Sequence, residues 1–159
     1  MLDETARSCS KRIDVIIPVY NAPVLTRRCI DSVITHLGKS IHRILIQDDA
    51  SDSETRAMLD HLPYSCVEVF HAEKNEGFGT AVNTAVSRSD AFYVLILNSD
   101  TEVKHNILPL LCSALLLTQI RSWRPLFPQE TVTTISTLAV MHCIPATISA
   151  PTIYADMLS

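Results

Sequence analysis

Residues 13–38 read IDVIIPVYNAPVLTRRCIDSVITHLG, and the organisation of the chain follows from how that run divides. Its first seven residues are a short β-branched stretch, apolar on both faces of the pleat, as in a strand buried inside a parallel sheet. Pro18 closes the strand, and Asn21-Ala22-Pro23 supplies a turn. From 24 to 37 the apolar residues Leu25, Cys29, Ile30, Val33, Ile34 and Leu37 recur at helical spacing, with Gly38 as the expected C-cap. A buried strand feeding an amphipathic helix is the opening half of a parallel crossover unit.

The alternation continues downstream. A second strand over 43–47 stops on Asp48-Asp49-Ala50-Ser51-Asp52, and a helix is predicted over 53–62 with Ser51 or Ser53 as its N-cap and Glu54 in its first turn. A third strand (66–70), a loop (71–79), a helix (80–87) and a fourth strand (93–97) follow, the last ending on Asn98-Ser99-Asp100-Thr101-Glu102. This order predicts an α/β fold with a mostly parallel sheet flanked by helices. Residues 107–117 form an apolar run, far short of the ~20 residues that span a bilayer, and read as a buried helix. After Leu117 the only charges are Arg121, Arg124, Glu130 and Asp156, prolines stand at 125, 128, 145 and 151, and no period persists. The expected division is an N-terminal extension over 1–11, a domain over 12–117 and an atypical tail over 118–159.

Composition narrows the function. With 159 residues, 47% hydrophobic and 19% charged, the chain suits one globular domain. A net charge of -4 gives no drive toward nucleic acid or an anionic membrane. The five cysteines form no CxxC pair and the six histidines show no HExxH spacing, so both sets read as structural. The polar N-terminus lacks the apolar core of a secretory signal. Together these features predict a cytoplasmic protein without a transmembrane segment, with peripheral membrane attachment left open. No nucleophile elbow, phosphate-cradling glycine loop or glycine-rich first turn is present, which counts against a dinucleotide fold; a flavodoxin-like or other doubly wound domain remains a third possibility.

The strand ends carry the chemistry. In parallel sheets ligands gather beyond the carboxyl ends of the strands, and here three ends deliver polar groups: Tyr20-Asn21, Asp48-Asp49 and Asn98-Ser99-Asp100. A carboxylate can accept hydrogen bonds from a base or ribose but repels a diphosphate unless a divalent cation stands between them. Asp48 or Asp49 would therefore grip a nucleoside, and Asp100 would hold Mg²⁺ or Mn²⁺. Gly77 and Gly79, flanking Phe78, would let a loop approach a ligand closely.

The ordered set DVIIPVYNAP, ILIQDDASDSET, EKNEGFGTAVNTAV and FYVLILNSDTEV resembles the nucleotide-binding half of family 2 glycosyltransferases with the GT-A fold, over about residues 12–117. The resemblance implies a nucleotide pocket at Pro18, Tyr20 and Asn21, and a base contact from Asp48 with Asp49 as neighbour. It further implies a loop beside the nucleotide at Asn75, Gly77 and Phe78, with Asn83 behind it, and a metal motif at Asn98-Ser99-Asp100. In that motif Asn98 replaces the first acid and lowers the charge at the ion by one, so metal affinity should fall while Asn98 and Asp100 still offer oxygens and Ser99 faces the nucleotide. The implied donors are UDP- or dTDP-sugars; the acceptor, whether glycan, lipid-linked or protein, is not specified.

The implied reaction is inverting, with a carboxylate deprotonating the acceptor hydroxyl while the metal stabilises the leaving diphosphate. That base lies C-terminal to the metal motif in the family, and here only Glu130 and Asp156 follow Glu102 among the acids, neither in the family's Glu-Asp context. The chain thus reads as a donor half whose acceptor half is truncated. A reading-frame shift near codons 117–125 would account for both the missing base and the change of texture, and the DNA there tests it. Two functions stay open: a nucleotide-sugar glycosyltransferase, and a non-catalytic nucleotide-binding or interaction module derived from the donor half.

Overall fold

The computed structural model describes residues 13–112, with strand segments at 122–123, 132–134 and 139–143. Strand β1 (Ile13–Val19), largely β-branched, is buried along its whole length, Asp14 included. It leads into helix α1 (Pro23–Leu37), strand β2 (Arg43–Asp48), helix α2 (Ser53–Asp60), strand β3 (Val67–His71), helix α3 (Phe78–Ser87), strand β4 (Tyr93–Leu97) and the short β5 (Thr101–Val103). A further helical segment is described over 108–112. The remainder of the helix expected over 107–117, residues 113–117, lies outside the described residues.

Strands β3, β2, β1 and β4 are parallel and adjacent in that order, with Val15 level with Ile44 on one side and Leu95 on the other. The order reverses between β1 and β4, so a crevice is expected beyond Val19 and Leu97. Alternate residues of β1 serve opposite faces. Ile13, Val15, Ile17 and Val19 pack with Cys29, Ile30 and Val33 of α1, Leu59 of α2 and the 107–112 segment. Ile16, with Leu45, Val94 and Ile96 beside it, packs under Val82, Ala85 and Val86 of α3.

Several local expectations shift. The buried stripe of α1 is Thr26, Cys29, Ile30, Val33 and Leu37; Leu25, expected in it, stands one position away and turns toward the crevice. The N-cap of α2 is neither Ser51 nor Ser53 but Asp52, whose carboxylate accepts from the Thr55 amide at 2.8 Å, a bond that holds its pKa below the ordinary carboxylate value. Gly79 needs no unusual backbone, since it sits inside α3, whereas Gly77 has φ 88.

The sheet also continues past residue 117. β8 (Ala139–Cys143) pairs antiparallel with β4 and β6 (Ser122–Trp123) with β8, while β7 (Val132–Thr134) pairs with β5 in a separate two-stranded sheet. These segments carry no strong alternation, and their register comes from the ready-made edges of β4 and β5.

Gly38 caps α1 in a right-handed conformation, so the reason for glycine is space: a Cβ there would stand 2.5 Å from the Ile34 carbonyl oxygen. That carbonyl already accepts from the Gly38 amide at 3.2 Å and cannot turn away without losing the bond. Gly38→Ala is therefore expected to cost about 1–3 kcal/mol, read as a lower urea midpoint at unchanged slope.

The opposite end of the sheet is tied by ions. Asp14, fully buried at the start of β1, accepts from Ser89 Oγ (2.6 Å) and Arg43 Nε (3.2 Å) and pairs with His42 Nδ1 (3.1 Å). Arg43 reaches on to Glu68 (3.0 Å) and Asp90 (2.7 Å), so one guanidinium joins β1, β2, β3 and the approach to β4. Among the described residues no helix is long and apolar enough to cross a membrane.

Candidate functional site

A cavity of about 580 Å³ opens where the strand order reverses. The end of β1 gives it Pro18, Val19 and Tyr20, the turn after β2 gives Asp49, and the turn after β4 gives Asn98, Ser99 and Asp100. The loop into α3 contributes Asn75, Gly77 and Phe78. Ala22, Leu25 and Ala81 complete the wall; being apolar they carry no signal that sequence reasoning could use, although Ala81 is one turn beyond Gly77 and small enough to leave room.

Three expected residues lie outside this lining. Asn83 sits on α3 with its Oδ1 buried and without a hydrogen-bond partner. Asn21 is turned into a contact with the turn after β2, described below. Asp48, expected to reach the nucleoside, is fully buried behind the cavity: its Oδ1 accepts from the Ser51 amide (2.9 Å), and its Oδ2 meets His71 Nδ1 (2.7 Å) and Arg56 Nε (3.3 Å). Asp49, in the turn that follows the strand, is the acid of the pair that lines the cavity, whereas Asp48, the last residue of β2, is buried behind it. Burial pushes the pKa of His71 down, but hydrogen bonds and charge from Asp48 and Asp60 outweigh it and leave the pKa raised, which favours the imidazolium between the two carboxylates.

Asp49 is the acid that faces the cavity, and it also builds the wall opposite. Its two oxygens accept from the amides of Glu76 and Gly77, each at 2.8 Å, while Asn75 Oδ1 also takes the Gly77 amide at 3.1 Å. Gly77 can present its amide this way because φ 88 with ψ 162 is open to glycine alone; nothing would obstruct a Cβ, so the constraint is conformational. Each carboxylate oxygen retains acceptor capacity toward a ligand.

The turn after β4 is carried by α1. The Asn98 carbonyl accepts from the Thr101 amide (3.0 Å) and from Cys29 Sγ (3.4 Å), and Ser32 Oγ accepts from the Val103 amide (3.0 Å). Burial pushes the Cys29 thiol up to about 12, which keeps it a protonated, unreactive donor. Asp100 is therefore displayed on a turn braced from beneath. Helices α1 and α3 both begin at the cavity, at Ala22 and Gly77, without side-chain caps, so their positive ends face it. No Lys or Arg is among the lining residues.

Two strained turns meet at the rim. Asn21, Ala22 and Ala50 have φ 58, 57 and 60, the non-glycine residues of positive φ among those described. Left-handed backbone costs an alanine about 1–2 kcal/mol. The turns are joined by Asn21 N–H to Ser51 Oγ (2.8 Å), Asp52 N–H to Asn21 Oδ1 (2.8 Å) and Asp49 N–H to the Val19 carbonyl (2.8 Å).

A second acidic group, Asp14, His42 and Asp90, brings its ligand atoms within 4.8 Å of one another. It lies at the start of the strands, away from the cavity, and the Arg43 guanidinium bonded to both acids already supplies the positive charge. Asn98 and Asp100, by contrast, line the cavity.

The sequence matches Glycosyl transferase family 2 over residues 14–116. The glycosyltransferase GlyA of Streptococcus pneumoniae serotype 4 is 27% identical over 95 residues, covering 60% of this chain and 14% of that protein. Among solved structures, S. aureus TarS 1-349 superposes with a TM-score of 0.60 at 19% identity, over 70% of this chain and 34% of that one. The mannosyltransferase PcManGT from Pyrobaculum calidifontis, in complex with GDP-Man and Mn²⁺, gives a TM-score of 0.63 at 20% identity, over 75% and 36%. These likenesses establish the GT-A fold; the chain spans about a third of the length of those structures and less of GlyA.

Proposed function

The chain belongs to glycosyl transferase family 2, and on that premise we propose that its cavity holds the nucleoside diphosphate of an activated sugar together with a divalent cation, as the donor half of an inverting transfer. The observation that carries this reading is the convergence of Asp49 and Asp100, from separate strand ends, on one cavity. Asp49 lies where a base or ribose could donate to it, and Tyr20, 56% exposed at the rim, offers a ring face. Asp100 and Asn98 would hold the cation, which when bound neutralises diphosphate oxygens and stabilises the leaving group. The uncapped starts of α1 and α3 favour negative charge at the same place.

Among the described residues no cationic side chain lines the cavity, so in this reading the metal supplies the positive charge that a diphosphate needs. Calorimetric titration of the chain with UDP, dTDP and GDP, with and without Mn²⁺, is expected to show binding strengthened by the metal. Failure of all three to bind in its presence would overturn the proposal.

A second reading, binding without transfer, is favoured by one observation. Glu102, the last acid before Glu130, is already engaged with Arg28 at 2.7 Å, and Glu130 and Asp156 lie outside the described residues. Sugar transfer to an added acceptor separates the two readings.

A further inference from the structure

We infer that Ser51 is a positioning residue for the nucleoside end of the cavity, holding the Tyr20–Asn21 backbone in the conformation that presents the Tyr20 ring. This rests on the proposed donor site and adds a residue that lies outside the cavity lining. Tyr20 is 56% exposed, so packing does not fix its ring; its direction follows from the backbone that carries it. That backbone continues into two successive left-handed residues, Asn21 and Ala22, a conformation an unassisted chain leaves.

Residue 21 is held at three points. Its amide donates to Ser51 Oγ at 2.8 Å, its Oδ1 accepts from the Asp52 amide at 2.8 Å, and its carbonyl accepts from Thr26 Oγ1 at 3.4 Å. Ser51 makes the contact nearest Tyr20 and is itself fixed. It is buried, and its amide donates to Asp48 Oδ1 at 2.9 Å, while Asp48 Oδ2 is held by His71 and Arg56. A line of bonds therefore runs from strands β2 and β3 through Asp48 and Ser51 to the residue beside Tyr20. The same segment places Asp49, two residues before Ser51, on the cavity wall. Ser51 thus sets both nucleoside-facing groups relative to one another, which a hydroxyl at any exposed position could not do.

The test uses the whole chain, titrated with UDP, dTDP and GDP in the presence of Mn²⁺, alongside amide exchange at Asn21. For whichever nucleotide the natural chain binds, Ser51→Ala is expected to weaken affinity about tenfold and to speed exchange of the Asn21 amide, whereas Ser51→Thr, which keeps the oxygen, restores both. Should Ser51→Ala not fold, Ser51→Cys takes its place: it keeps the volume but offers sulfur, a weak acceptor, to the Asn21 amide, and a loss of affinity in the same direction is expected. If the natural chain binds and the folded variant binds equally well, the positioning role is overturned and the donor site stands. If the natural chain binds none of the three, the donor site itself is overturned, and the role of Ser51 with it.

Discussion

Asp100→Ala is expected to erase the dependence of nucleotide binding on metal while leaving metal-free binding within about twofold of the natural chain. Asn98 is neutral, so Asp100 contributes the only full negative charge that the turn after β4 offers a cation at the cavity. An ion held by so little protein charge gains most of its affinity from the diphosphate, and the two ligands must then tighten one another by the same factor. Coupling of this kind is typically about 1–3 kcal/mol, so Mn²⁺ should strengthen nucleoside diphosphate binding by about 5- to 150-fold in the natural chain and by a factor near one in the variant. Because Asp100 sits on a turn braced through the Asn98 carbonyl and Ser32, both contacts independent of its side chain, the unfolding midpoint should move little. Coupling that survives the substitution would place the cation elsewhere.

Asp49→Ala should do broader damage. The carboxylate faces the cavity and also accepts the Glu76 and Gly77 amides, so its removal takes away a ligand contact and frees the loop that forms the facing wall. Hydrogen bonds to a charged acceptor are worth about 1.5–3 kcal/mol each, which sets the expected loss of nucleotide affinity at about 100-fold or more. Asp49→Asn retains one acceptor oxygen but turns an amide group toward a backbone donor, and should fall between. Calorimetry gives the affinities, and amide exchange at Glu76 and Gly77, faster in the alanine variant, reports the loop. An unchanged affinity with a loosened loop would confine Asp49 to a structural role.

The fold was legible because β1, Asp14 apart, and β4 are apolar and α1 repeats its buried positions every three or four residues. These are local signals. The site was legible as a set of strand ends for the same reason: where an apolar run stops on Asp or Asn in a parallel sheet, the crevice lies beyond. What could not be read was which of two neighbouring acids turns inward. Asp48 and Asp49 are identical in sequence terms, and their division depends on the left-handed turn at Ala50 and on His71 and Arg56, brought in from elsewhere along the chain. The exchange of Leu25 for Thr26 in the buried stripe of α1 reflects spacing over polarity, since Thr26 lies three, four and seven residues before the buried Cys29, Ile30 and Val33. Strands β6 to β8 pair with partners far away in sequence, and short segments without alternation announce no such partner.

The ionic tie around Asp14 and Arg43 lies at the start of β1, and the ligand-facing groups lie past its end, a separation of about 20 Å at ~3.3 Å per residue. Substitutions that far apart, with no shared partner, combine additively in their effects on stability. Side chains at the cavity can therefore change without disturbing the contacts that keep the strands in register. The tied end thus serves as a fixed frame, and the open end is where side chains can vary at least cost to that frame.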